Sequence, residues 1–145
     1  MSIEKEKVAI SACIFGYPFR FDGKDKKNKE ILDNLSKKYI LIPICPEVLS
    51  GLSVPRKPCS VKGNVIFENE SGEDKTHYFI KGAKRGLKIL KSLGIKKVFL
   101  KEKSPSCGVN FVHFYIDKNS TQIKEGKGIF TKILIEEGFE VEGIE

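Results

Sequence analysis

Three short apolar runs with strand character alternate along this chain with segments of helical periodicity. The runs lie at residues 8–12, 39–44 and 97–100. Between them, residues 26–38 and 76–93 carry apolar side chains at three- to four-residue spacing, and Gly94 follows the second segment as a stop signal. Strands that alternate with helices build βαβ units, in which helices flank parallel strands. We therefore predict an α/β fold, a small Rossmann-like domain with a mostly parallel sheet flanked by helices.

The end of the chain continues this alternation. Residues 128–137 show a helical pattern that Gly138 closes, and residues 139–142 are typical of a last strand. The chain of 145 residues has the common size of one domain and contains no internal repeat or long linker. We therefore predict a single domain that spans residues 1–145.

The segment after the second strand is rich in turn-forming residues. Four of the six prolines fall between residues 43 and 58, which predicts an extended loop. Within the region that follows, residues 64–68 are typical of one small extra strand. Residues 110–124 show no clear period, and we assign them no element.

Charge and hydropathy exclude several classes of protein. The net charge is +7, but the 26 basic residues are spread along the chain and only three are arginine. This pattern indicates a lysine-rich solvated surface, so we do not predict nucleic acid as a partner. The charged start and the lack of about 18 consecutive apolar residues predict neither a signal peptide nor a membrane span. We expect a cytoplasmic protein whose four cysteines serve metal binding or catalysis instead of disulfides.

Three of the four cysteines follow the predicted strands. Cys13 and Cys45 come directly after the first and second strands, and Cys107 lies a few residues beyond the third. Because the carboxyl ends of parallel strands meet at one edge of the sheet, we expect these thiols to converge on one metal centre. Cys59 lies in the proline-rich loop, and we predict that it is not a ligand.

The spacing of the cysteines does not choose between zinc and an iron–sulfur cluster. Zinc would need a fourth ligand, and His77 or His113 could supply it. His77 lies near the start of a helix and His113 in an apolar run, which are settings typical of surface or packing roles. Iron–sulfur clusters normally take four cysteines, so three would leave one iron open to act as a Lewis acid.

Several polar residues accompany the cysteines. Glu47 stands two residues after the second cysteine, where a carboxylate can act as a general acid or base or simply as a charge at a helix end. Ser104 and Ser106 flank a proline, and their hydroxyls can cap the turn or bind a ligand. We assign Ser106, Arg20 and Asp22 to substrate binding, with loop shaping as the alternative role.

Four sequence blocks identify a family. They are ISAC at 10–13, RFDG at 20–23, CPEVLSGL at 45–52 and KEKSPSCG at 101–108. In this order they resemble a bacterial family, long catalogued as a domain of unknown function, whose characterised members are thiouracil desulfurases. The resemblance extends over nearly the whole chain.

This resemblance implies an enzyme with a [4Fe–4S] cluster. Cys13, Cys45 and Cys107 would bind the cluster and leave one iron open. The resemblance further implies that Glu47 handles protons and that Ser104 positions or polarises the substrate. The expected reaction is hydrolytic removal of sulfur from a thiolated pyrimidine such as 2-thiouracil, with release of the oxygenated base and sulfide.

The chain departs from the family pattern at three places. Many relatives carry a second cysteine in the first motif where this chain has Phe19, and many have a small residue and a glutamate where it has Cys59 and Ser60. Residues 109–114 lack the expected tyrosine–aspartate–glycine turn. Two alternatives to a desulfurase therefore stay open. One is a cluster- or zinc-binding module without catalysis of its own, and the other is a thiol-only persulfide transferase with Cys107 as nucleophile.

Overall fold

The computed structural model describes residues 5–145. This part of the chain contains eight strands and five helices, joined by loops. The strands are β1 (Glu6–Ser11), β2 (Tyr39–Ile44), β3 (Cys59–Lys62), β4 (Val65–Glu68), β5 (Lys97–Lys101), β6 (Phe111–Asp117), β7 (Ser120–Glu125) and β8 (Glu140–Ile144). The helices are α1 (Ala12–Phe15), α2 (Lys29–Ser36), α3 (Pro46–Leu49), α4 (Thr76–Ser92) and α5 (Ile129–Glu136). Residues 1–4 of the predicted domain and of its charged start lie outside the described residues.

The first sheet has the order β2-β1-β5-β8, and all its neighbouring strands are parallel. These are the four strands that the apolar runs and the last segment predict, so the α/β prediction is confirmed. The predicted bounds of β2 agree with the structure at both ends. The predicted bounds of the other three strands differ from the structure by a few residues. Helix α4 also agrees with its predicted start.

Helices cover both faces of this sheet because side chains alternate along its strands. Val8 and Ile10 of β1 face one side, where they pack in a cluster with Leu32 of α2. Ala9 faces the other side, in a cluster that includes Phe79 of α4 and other apolar residues of α4 and α5. A strand buried on both faces reads as a continuous apolar run, which explains why the sequence predicts these strands well.

The approach of α4 to α3 depends on a glycine. A Cβ at Gly82 would overlap the carbonyl oxygen of Pro46, the first residue of α3. The absence of a side chain therefore lets the long helix pack directly on the short one. This contact fixes the segment that follows Cys45 and carries Glu47.

A second sheet has the order β4-β3-β6-β7. Of its four strands the sequence predicts only β4, as the small extra strand at residues 64–68. Strands β3 and β6 are parallel, whereas β4 and β7 pair antiparallel at the edges. The unassigned residues 110–124 form most of the β6–β7 hairpin, in which Asn119 has a φ of 57° at the turn. All six residues of β7 are exposed, so this strand lacks the apolar alternation that marks a strand in sequence.

Two further differences concern helix ends. Helix α2 begins at Lys29 instead of residue 26, because the side chain of Asn28 accepts a hydrogen bond from the N–H of Ile31 at 3.1 Å and caps the helix there. The loop predicted after the second strand contains the short helix α3.

Over residues 5–145, no helix combines the length and apolar character that crossing a membrane requires.

Candidate metal centre and active site

Cys13, Cys45 and Cys107 line one cavity of about 350 Å³. Cys13 lies in α1, directly after β1, and Cys45 is the residue between β2 and α3. Cys107 lies in the loop that follows β5. The parallel sheet thus brings the three predicted ligands to the same cavity from the carboxyl ends of three adjacent strands.

Burial controls the protonation of these thiols. It raises the pKa of Cys45 to about 11, with the nearby Glu47 carboxylate adding to the effect. Burial likewise raises the pKa values of Cys13 and Cys107. The free thiols are therefore protonated at neutral pH, which disfavours the thiol-only alternative because the nucleophile is the thiolate. Metal binding requires the thiolates and would release these protons.

The donor set fits a cluster better than a single ion. Within residues 5–145, no three histidine, cysteine, aspartate or glutamate side chains form a group that could hold one metal ion. A zinc ion needs all its ligands within about 2.0–2.3 Å of one point. In an iron–sulfur cluster each thiolate binds its own iron atom, so the thiols can stand further apart around a shared cavity. Three thiols on one cavity could supply three of the four thiolates that such a cluster normally takes.

The loop that carries Cys107 is held by its own serine. The Oγ of Ser104 accepts hydrogen bonds from the backbone N–H groups of Ser106 and Cys107, each at 3.1 Å. The Ser106 Oγ also lies 3.6 Å from the Cys107 sulfur. This serine-turn geometry explains why hydroxyl residues flank the proline in the motif.

Helix α5 holds the same loop in place, because backbone N–H groups of the helix donate hydrogen bonds to carbonyl oxygens of the loop. The first N–H groups of the helix donate to the carbonyl oxygens of Pro105 at 3.0 Å and Ser106 at 2.9 Å. Gly128 precedes the helix, and a Cβ there would overlap the Ser106 carbonyl. Free N–H groups at a helix start need acceptors, and this loop provides them.

Glu102 fixes the segment after Cys107. It is 8% exposed, and its Oε1 accepts from the backbone N–H groups of Val109 and Asn110 at 2.8 and 2.9 Å. The Asn110 amide donates to Oε2 at 2.7 Å. Burial alone raises the pKa of Glu102, but the hydrogen bonds from Asn110, Val109 and Phe111 outweigh it and lower the pKa below its ordinary value of 4.5.

We expect Glu102→Gln to lower the free energy of unfolding by about 2 kcal/mol at pH 7, because the hydrogen bonds to a charged acceptor are lost. The folded-state pKa of Glu102 lies below the unfolded value, so its stabilisation is present above about pH 4.5 and is lost as the pH falls through the folded pKa. Urea unfolding from pH 7 to pH 3 should show the difference between wild type and variant shrinking below pH 4.5. The exposed Glu70→Gln serves as control, and a difference independent of pH would contradict the assignment.

Glu47 lies at the centre of a hydrogen-bond network in the cavity. Its Oε2 accepts from the hydroxyls of Ser104 at 3.1 Å and Ser106 at 2.9 Å. Its Oε1 lies 3.3 Å from both Nε and Nη2 of Arg56. The network holds the carboxylate in one orientation beside the three thiols.

Arg56 connects Glu47 to the loop of the first motif. Its Nη2 donates to the Phe19 carbonyl at 3.0 Å, and its backbone N–H donates to the Phe21 carbonyl at 2.7 Å. The arginine side chain is only 7% exposed. The family resemblance includes Pro55 and Arg56, just after the CPEVLSGL block, but it gives Arg56 no role.

We expect Arg56→Met to lower the free energy of unfolding by about 3 kcal/mol, because it leaves the Glu47 carboxylate without its partner in a mostly buried site. Chemical denaturation of the purified variant measures the loss. Lys91→Met is the matched control, since Lys91 pairs with Glu137 on the surface and its side chain is 54% exposed. That exposed pair should contribute below about 1 kcal/mol. Equal losses for the two variants would contradict the assignment.

The predicted substrate residues Arg20 and Asp22 have different positions. Arg20 lines the cavity, whereas Asp22 is absent from its wall and pairs with Arg20 at 3.5 Å. Lys101, the last residue of β5, also lines the cavity, although the sequence pattern gives it no role. Burial lowers the pKa of Lys101, and the thiols of Cys13 and Cys107 partly oppose this shift.

The remaining candidates divide between cavity and surface. His113 lines the cavity from β6, and burial together with the nearby lysines lowers its pKa. His77 is exposed on α4, its ring centroid lies 4.1 Å from that of Tyr78, and it is absent from the cavity wall. Cys59, which the sequence separates from the other thiols, also lines the cavity because β3 begins there. Burial and then Glu47 raise the pKa of Cys59 to about 12.

Comparison with known proteins gives consistent matches. A sequence model of the 2-thiouracil desulfurase family matches residues 8–144. The uncharacterized protein YbbK of Bacillus subtilis (strain 168) is 30% identical over 143 residues, which cover 92% of this chain and 93% of the relative. Among solved structures, the [4Fe-4S]-dependent thiouracil desulfidase TudS is 34% identical and has a TM-score of 0.82, with 96% of this chain and 91% of that chain covered.

Proposed function

The chain belongs to the 2-thiouracil desulfurase family and is therefore an enzyme, and on this premise we propose that it removes sulfur from a thiolated pyrimidine such as 2-thiouracil by hydrolysis. Water supplies the oxygen, the products are the oxygenated base and sulfide, and no electron is gained or lost. The observation that carries the proposal is the presence of three thiols and a hydrogen-bonded carboxylate in one cavity.

Cys13, Cys45 and Cys107 are the residues that would hold a [4Fe–4S] cluster. Three thiolates satisfy three of its irons and leave the fourth open. When bound, the cluster supplies a thiophilic Lewis acid that binds the substrate sulfur and makes the carbon beside it more electrophilic. The structurally similar TudS is a [4Fe-4S]-dependent enzyme, which supports the same cofactor here. The ammonium of Lys101 in the cavity wall adds a positive charge that favours the thiolates.

Glu47 is the residue we assign to proton transfer. Its Oε2 would take a proton from the water that attacks the carbon bearing sulfur and would later return it to the departing sulfur. The two serine hydroxyls and the Arg56 guanidinium hold this carboxylate in place. A carboxylate fixed at both oxygens loses little orientational freedom when it acts.

The neighbouring polar groups would bind and orient the substrate. Ser104 lines the cavity, and its hydroxyl can turn from Glu47 toward a ring oxygen or nitrogen. Ser106 is 1% exposed and absent from the cavity wall, so we assign it to substrate binding only through Glu47. Arg20 lines the same cavity and can donate to the base. We assign Asp22 to substrate binding only through Arg20, whose guanidinium it holds at 3.5 Å.

The test is anaerobic purification followed by metal analysis and turnover in labelled water. We expect about four irons and as many acid-labile sulfides per chain, and conversion of 2-thiouracil to uracil with one sulfide released per base. In H₂¹⁸O the uracil formed should carry one ¹⁸O atom. Protein that binds iron but releases no sulfide would instead be a cluster-binding module, and one zinc per chain would overturn the cofactor assignment. We place the reaction in the cytoplasm, where reduced thiols persist.

A further inference from the structure

One cation in the cavity wall has no carboxylate partner. The wall carries four lysine or arginine side chains, which are Arg20, Arg56, Lys101 and Lys103. Three of them form ion pairs, Arg20 with Asp22 at 3.5 Å, Arg56 with Glu47 at 3.3 Å and Lys103 with Glu145 at 2.9 Å. Over residues 5–145, no carboxylate pairs with Lys101. A partly buried charge without a counter-charge costs free energy, so this ammonium needs an anion that the carboxylates do not supply.

Both ends of Lys101 are held in place. Its backbone N–H donates to Ser11 Oγ at 2.8 Å, which joins the end of β5 to the end of β1, two residues before Cys13. Its ammonium donates to the Glu102 backbone carbonyl at 3.0 Å. The Glu102 carboxylate instead accepts from N–H groups of the segment after Cys107. A neutral carbonyl orients the ammonium but leaves its charge uncompensated.

The groups whose charges act on Lys101 show which side chains its ammonium faces. Burial lowers the pKa of Lys101, and thiolates at Cys13 and Cys107 oppose this shift. Burial raises the pKa of Cys13, and the Lys101 ammonium is the largest effect that opposes it. The other charges that act on Lys101, those of Arg20 and Lys26, are positive and repel it. Two of the three candidate ligand thiols are therefore the groups that can compensate its charge, once they are thiolates.

We propose that Lys101 supplies the counter-charge of the thiolate-bound cluster, stabilises the cluster in the cavity and raises its reduction potential. This inference rests on the proposed function, because it takes a [4Fe–4S] cluster as the occupant of the site. A four-iron cluster held by three thiolates is an anion, and its net charge and surroundings set its potential. Reduction adds an electron to this anion, so a nearby cation stabilises the reduced form more than the oxidised form.

The test is the midpoint potential of the anaerobic holoenzyme, measured by redox titration and followed through the EPR signal of the reduced cluster. Lys101→Met keeps the length of the side chain and removes its charge. We expect the equilibrium constant for one-electron reduction to fall about tenfold, which lowers the midpoint potential by about 59 mV. Lys101→Arg keeps the charge and should restore most of this shift. An unchanged potential in Lys101→Met, or equal shifts in both variants, would overturn the proposal.

Lys103→Met is the matched control. Lys103 lines the same cavity, but it pairs with Glu145 and its side chain is 40% exposed. Because water and salt screen an exposed charge, this variant should change the equilibrium constant for reduction less than twofold. A shift as large as that of Lys101→Met would mean that any positive charge at the cavity has this effect, which contradicts a specific role for Lys101.

Loss of the cluster from Lys101→Met is also decisive. Circular dichroism then establishes that the iron-free variant is folded, and the iron content of Lys101→Arg is compared with that of wild type. Iron restored in Lys101→Arg supports the counter-charge, whereas a folded Lys101→Arg without iron overturns it. If wild type holds the cluster and its potential equals that of Lys101→Met, only the role of Lys101 fails. If wild type binds no four-iron cluster, the cofactor assignment of the proposed function fails, and the role of Lys101 fails with it.

Discussion

Replacing Cys45 by alanine is expected to reduce the iron bound per chain from about four atoms to nearly none. The same loss is expected for Cys13→Ala and Cys107→Ala. Each of the three thiols lines the cavity from the end of a different strand. Cys59 also lines the cavity, but it does so from the start of β3 in the second sheet, and we do not expect it to replace a missing ligand. A cluster that already has one open iron would be left with two protein ligands.

The control for this prediction is Cys59→Ala. Cys59 lines the same cavity, so its loss tests whether any thiol at the cavity is sufficient. We expect this variant to keep its full iron and acid-labile sulfide content and its brown colour after anaerobic reconstitution. Iron loss in Cys59→Ala equal to that in the other three would show that the ligand set is wrong.

The second large effect is expected from Glu47→Gln, which should lower kcat for 2-thiouracil by about 10²- to 10⁴-fold. Glutamine keeps the size of the side chain and can still hydrogen-bond Ser104 and Arg56, but it cannot take a proton. The cluster should be retained, because Glu47 is not one of the proposed ligands. Sulfide release under anaerobic conditions measures the effect, and iron analysis of the same sample confirms loading.

A matched carboxylate makes this comparison specific. Glu70→Gln removes an equal charge from the surface, where Glu70 pairs with Lys57 and is 62% exposed. Its turnover should equal that of wild type. Full activity in Glu47→Gln would remove Glu47 from the mechanism, and loss of iron in it would make Glu47 part of the metal site instead.

The central strands of the parallel sheet, β1 and β5, are predictable from sequence because they are largely buried. A continuous apolar run such as residues 8–12 can be recognised without knowing its neighbours. The second sheet is different. Strand β7 is exposed throughout, and it exists only because β6 offers it a paired edge. Such pairing between strands leaves no periodic signal in either segment.

The same distinction applies to the site. Cys13 and Cys45 can be located because they directly follow predicted strands. Glu47 can be predicted as a site residue because it lies two residues after Cys45. Arg56 comes from the loop before β3, and its approach to the cavity depends on strand pairing in the second sheet that the sequence does not reveal.

Helix α5 contributes no side chain to the cavity wall, yet its first turn carries the loop that contains Cys107. The amide groups at its start are occupied by Pro105 and Ser106, so they are not available to attract an anion. The position of Cys107 therefore depends on how α5 packs in the core. A cavity created at Phe130 or Leu134 would be felt at this thiol through the backbone contacts of the first turn of α5.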